Sequence, residues 1–168
     1  MKNRLLALLD LPEESKQSLM REGNDLIKAR LGDRQAEQRV IEAFENASNL
    51  KKPAHSDDLL YIGSEATIHT FLDALESVGP ETSSHLHSGN PATVAYRMLV
   101  IYQRYDDVGF FDDIDISTTE EEFLRPEYQQ VVRSIESHFF DRYGRQVHLQ
   151  LPYFVGREFS PIETWTVN

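Results

Sequence analysis

Apolar positions recur at a helical period along most of this chain. Leu5, Leu6, Leu8 and Leu9 have the spacing of a short amphipathic helix, and Pro12 opens the next segment at a position favoured in first turns. From Glu13 to Leu31 the apolar side is carried by Leu19, Gly23, Leu26, Ile27 and Leu31, close to the helical repeat. Gly23 in the middle costs about 1 kcal/mol against Ala, so Gly23-Asn24 suits either a break or a close helix contact. Gly32 stops the segment. Asp33 then caps a helix whose stripe is Ala36, Val40, Ile41, Phe44 and Ala47. Asn46 to Asp58 reads as a polar loop containing Lys51-Lys52-Pro53. The short apolar run Leu59-Leu60-Tyr61-Ile62, bounded by Gly63, reads as a strand or an extended segment.

Ser64 is placed to cap a helix reaching about Val78, striped by Ile68, Phe71, Leu72 and Leu75, and Gly79-Pro80 ends it. Residues 81–90 are polar. Asn90-Pro91 is a strong helix start, and the helix to about Tyr105 is apolar nearly all round, the mark of a buried helix. Residues 106–122 read as a loop leading to a helix start at Thr118 or Thr119, with three Glu near the positive end of the dipole. Pro126 interrupts that helix. A long one follows from Glu127 to Tyr143, striped by Tyr128, Val131, Val132, Ile135 and Phe139, and Gly144 closes it.

The period then changes. Val147, Leu149 and Leu151 alternate with His148 and Gln150, which predicts a half-buried strand. Residues 162–167, Ile-Glu-Thr-Trp-Thr-Val, predict a second. Pro152 and Pro161 favour an edge location. The expected fold class is therefore α+β: a mostly helical body of about six or seven helices with a C-terminal β-hairpin or small antiparallel sheet. A length of 168 residues suits a single domain, with a change of substructure near 48–57.

Charge sharpens this picture. Residues 1–56 hold ten Lys/Arg and nine Asp/Glu, whereas 57–168 hold seven basic and nineteen acidic side chains. Lys is absent after Lys52, so every later cation is an Arg, which suits planar pairing with carboxylates and suggests fixed ion pairs. The chain has no Cys, so disulfides, thiolate metal sites and a Cys nucleophile are excluded. The apolar run after Arg4 ends at Asp10 after five residues, short of the ~7–15 of a signal-peptide core. No stretch approaches the ~18 apolar residues of a membrane span. A cytoplasmic protein that engages no membrane is expected.

The densest candidate for function is residues 106–122. Asp106, Asp107, Asp112, Asp113, Asp115, Glu120, Glu121 and Glu122 occur there without a cation, around Phe110-Phe111. Carboxylates steer association with a basic partner, and buried aromatics supply affinity. The competing reading is a solvated loop and a well-capped helix, with both Phe in the core. Asp113-x-Asp115-x-Ser117 begins like a calcium loop, but Thr118 and Leu124 stand where Gly and Glu are required. His85-x-His87 is the one close histidine pair and could share a metal if extended, with carboxylates completing the shell.

No Gly-x-Ser-x-Gly elbow and no Gly-x-Gly spacing occur, so no catalytic set and no cofactor is expected. The acidic second half disfavours direct nucleic-acid binding. The leading expectation is an acidic protein-binding module that engages a basic protein, such as an immunity protein neutralising a nuclease-type toxin. A metal-dependent hydrolase built on His85 and His87 is the alternative from another class, and a structural subunit of a phage or secretion assembly is a third. Oligomeric state is left open by the residues.

Overall fold

The computed structural model describes residues 8–77, 91–105 and 126–149, and among these it is helical apart from turns, short connections and the irregular stretch 145–149. In chain order the helices are α1 (Glu13–Glu22), α2 (Asp25–Arg30), α3 (Arg34–Glu45), α4 (Lys52–Ile62), α5 (Glu65–Glu76), α6 (Pro91–Gln103) and α7 (Pro126–Tyr143). They fall into two compact units, residues 1–71 and 72–168, and the division lies inside α5.

The first unit is built from short helices separated by local caps. α1 buries none of its residues fully, and its N-terminal Glu13 and Glu14 and C-terminal Arg21 complement the helix dipole. Gly23 makes the break rather than a helix contact: its N–H donates to the Leu19 carbonyl at 2.7 Å, and a Cβ there would collide with that same carbonyl oxygen. Asn24 then caps α2, its side chain accepting from the Ile27 amide at 3.0 Å. Asp33 caps α3 as its position predicts, one carboxylate oxygen accepting from the Gln35 and Ala36 amides at 2.9 and 3.0 Å. The stripe of α3 is buried at Ala36, Val40, Ile41 and Phe44.

α4 corrects the reading of this region. Lys52 to Asp58 are helical rather than loop, and Leu59-Leu60-Tyr61-Ile62 is the last turn of that helix rather than a strand. Its start carries no side-chain cap, only a proline in the first turn, so the usual polar signal is missing. Leu59, Leu60 and Ile62 are buried as a run of apolar residues should be, but a run of four does not tell helix from strand. Gly63, at φ 63°, ends α4 in the left-handed region. Arg30 Nη1 donates to the Ile62 carbonyl at 2.8 Å, placing a cation at the negative end of the dipole. Residues 48–57, where the charge balance changes, lie wholly in the first unit.

In the second unit α6 is the apolar centre, burying Val94, Ala95, Met98, Leu99, Ile101 and Tyr102. From α7 come Ile135 and Phe139, and from the end of α5 Leu72 and Leu75. Gly144, at φ 66°, closes α7.

The α+β expectation is overturned here: no strand occurs among the described residues. The alternation after Gly144 is real in burial, with Val147 and Leu149 buried and His148 exposed. Among the described residues it has no neighbouring strand. The His148 amide donates to Glu76 Oε1 at 2.8 Å and the Leu149 amide to Glu136 Oε1 at 3.2 Å, so helix carboxylates take the place of a ladder. Period-two alternation reports which side chains are covered, and a sheet is only one way of covering them. Residues 162–167, the proposed second strand, lie outside the described residues.

Candidate functional site

Two constellations in the second unit bring polar side chains together. The first surrounds the segment Arg145–Leu149 that follows α7. Asp73 and Glu76 stand one helical turn apart on α5, which places both carboxylates on one face. Arg145 Nη2 donates to Asp73 Oδ1 and, at 2.8 Å, to Glu76 Oε2. Only 20% of the Arg145 side chain is exposed. Burial works against its charge, but the hydrogen bonds it donates to Asp73 and Glu76 outweigh that cost and raise its pKa. Glu76 thus serves twice, one oxygen on the guanidinium and the other on the His148 amide. With Glu136 on the Leu149 amide, three carboxylates hold one side chain and two consecutive peptide groups.

The second constellation runs from the core outward: Tyr102 and His138 are buried, Tyr143 is half-buried and Arg142 is exposed. Tyr102 Oη lies 2.9 Å from His138 Nε2 and 3.2 Å from Tyr143 Oη, and Arg142 Nε donates to Tyr143 Oη at 3.3 Å. The Tyr102 ring meets Phe139 edge-on at 5.0 Å and His138 at 5.8 Å. His138 and Tyr143 are five residues apart on α7, and Tyr102 faces them from α6. The polar tips of Tyr102 and His138 satisfy each other inside the core, and their rings help fill it. The arrangement lets a hydroxyl pass a hydrogen bond from Tyr143 towards His138. None of these groups lines the depression of about 420 Å³ bordered by Arg133, Glu136, Ser137, Phe140, Asp141 and Gln146. Its described lining has a serine and carboxylates and no histidine.

The residues singled out by sequence fall elsewhere. His85 and His87 lie outside the described residues, as do Asp106, Asp107, Phe110, Phe111, Asp112, Asp113, Asp115, Glu120, Glu121 and Glu122. Among the described residues no group of three or more histidines and carboxylates could hold a metal ion. His55 pairs loosely with Asp58 at 3.7 Å and His69 with Glu65 at 3.8 Å, each along its own helix. Among the described residues no helix is long and apolar enough to cross a membrane.

Sequence reading missed Asp73, Glu76 and Glu136 as a set because acids are plentiful and these three are scattered over sixty-odd positions. One signal was available: Arg145 stands two residues ahead of an alternating apolar pair, with the predicted preference for bidentate carboxylate pairing. No protein-family model, no curated protein and no solved structure matches this chain.

Proposed function

We propose that the protein is a binding module for a basic protein, an inhibitor of a nuclease-type toxin being one concrete form. The observation that carries this reading is where the negative charge resides. In the second unit, residues 72–77, 91–105 and 126–149 hold five acids and five arginines, so the described helical frame is neutral. Residues 106–125, which join α6 to α7 in sequence, hold eight acids and one arginine. The excess is therefore concentrated in one connection, and it is not a general property of the surface.

Charges so concentrated repel one another unless solvent or a partner screens them, and they accelerate encounter with an oppositely charged surface. Phe110 and Phe111 supply an apolar anchor amid them. The D112N/D113N/D115N variant should keep the wild-type melting temperature or exceed it slightly, while associating more slowly with the basic partner. The deficit should shrink as salt rises, because screening acts on encounter rates first. The check is a pulldown from native-host extract, repeated with the recovered partner by stopped-flow association at low and high ionic strength. Equal recovery and equal rates at low salt would leave the acidic connection as a solvated face.

A further inference from the structure

We infer that residues Arg145–Leu149 form a clasp that opens and closes in a single step about Gly144, while the helices it fastens stay folded. Two helices supply what holds it. Arg145 donates to Asp73 and Glu76 of α5, the His148 amide to Glu76, and the Leu149 amide to Glu136 of α7. Each of these acceptors is a side-chain carboxylate, so letting go breaks no backbone hydrogen bond of either helix. The clasp can therefore open without a helix unwinding.

Two features make the release all-or-none. Glu76 serves both ends of the clasp: Oε2 accepts from Arg145 and Oε1 from the His148 amide, so a carboxylate that swings away with one loses its aim at the other. Each held amide also has a buried side chain beside it, Val147 before the His148 amide and Leu149 on its own. Neither amide can turn out to water without drawing an apolar side chain after it, and the burial of both side chains opposes that. Contacts that share members in this way couple instead of adding independently.

The pivot is Gly144. It sits at φ 66°, and a Cβ placed there would meet no described atom within 4 Å beyond its chain neighbours, so the backbone has room to turn where the clasp joins α7. Opening a segment held by a few side chains costs less than unfolding a packed core, which puts the clasp at the low-stability end of the molecule. Leu99 and Ile101 of α6, both fully buried, stand at the other end. Neither a partner nor the acidic connection of residues 106–125 enters this inference, and it does not depend on the function proposed above.

The test is amide hydrogen exchange, followed residue by residue by NMR on the full chain. In wild type the His148 and Leu149 amides should share one opening constant, larger than those of the Leu99 and Ile101 amides. Because little surface is exposed when the clasp opens, both should also depend only weakly on denaturant, and to the same degree. Arg145→Ala should speed exchange at His148 and at Leu149 by one common factor, roughly tenfold or more, although the Leu149 amide is held by Glu136 and not by an Arg145 partner. Glu136→Ala, acting at the far end, should speed exchange at His148 likewise. Unequal opening constants for the two amides in wild type would overturn the single step, as would an Arg145→Ala variant in which only His148 responds. A denaturant dependence as steep as that of the α6 amides would overturn the clasp itself, since the segment would then open only when the whole unit unfolds. The wild-type measurements decide both points even where a variant fails to fold.

Discussion

Arg39 in the first unit meets Asp25 through two hydrogen bonds, at 2.9 and 2.8 Å, with about half of each side chain in solvent. Arg145 in the second unit meets Asp73 and Glu76 with most of its side chain covered. The chemistry is the same and the consequences differ. The Arg39 pair joins two elements that already have their own caps, so water can replace either partner at little cost. The Arg145 set holds a stretch that forms no helix and, among the described residues, no ladder, and Glu76 also accepts from the His148 backbone amide. The comparison teaches that an ion pair matters through what else depends on its members.

The comparison breaks first at Glu76. Glu76→Ala should destabilise the protein by about 1–3 kcal/mol, since it strands a half-buried guanidinium contact and an amide together. Asp25→Ala should lower the melting temperature far less than Glu76→Ala does. Chemical denaturation of both variants beside wild type checks the pair, and equal effects would mean that burial does not distinguish the two ties.

Caps come next. Asp33 satisfies two amides at the start of α3, and Asp33→Ala should cost about 1 kcal/mol by the same measurement. A cost well below that would show that water replaces the aspartate at those amides.

The smallest effect is a matter of pH. Burial holds the Asp58 carboxyl above its ordinary range, against the opposing pull of His55 3.7 Å away and with a further push from Asp57. A carboxyl whose folded-state pKa is raised contributes stability that is complete below the unfolded pKa and is lost as pH rises through the folded one. Asp58→Asn should therefore melt slightly above wild type at neutral pH, with the gap closing as pH falls into the carboxylate range. Asp25 has the opposite sign: the Arg39 hydrogen bonds hold its carboxyl down, so its contribution is present above the unfolded pKa and fades as pH falls through the folded one. Melting curves of Asp58→Asn and Asp25→Asn against pH should therefore diverge from wild type in opposite directions.

The first unit was largely legible in its residues because its signals are local. Asp33, Ser64 and Gly32 announce helix boundaries within three or four positions, and the α3 stripe names its own buried face. α4 was misread because its polar first half lacks a capping side chain and its apolar last turn is too short to show a period. In the second unit the buried character of α6 and the end of α7 at Gly144 were equally plain. The clasp was not, since it joins Arg145 to residues 72 and 69 positions away. Alternation at Val147 and Leu149 correctly marked two covered side chains, but period alone cannot say whether a strand or a pair of helices covers them. Tyr102 and His138, 36 positions apart, were invisible as a pair for the same reason.

The way Arg145 is held also bears on how the protein would meet a digestive enzyme. The bond after an arginine is a natural target for proteases that read a basic side chain and bind their substrate as an extended strand. Residues 145–149 lie in neither a helix nor a strand, so local structure alone would leave them open to such an enzyme. Their arginine and two of their amides are engaged within the molecule, however, and those are the groups a protease must bind. Cleavage at this bond should then follow the fraction of time the segment is detached. Nicking after Arg145 becomes a clock for that opening, readable on a gel without any probe attached to the protein.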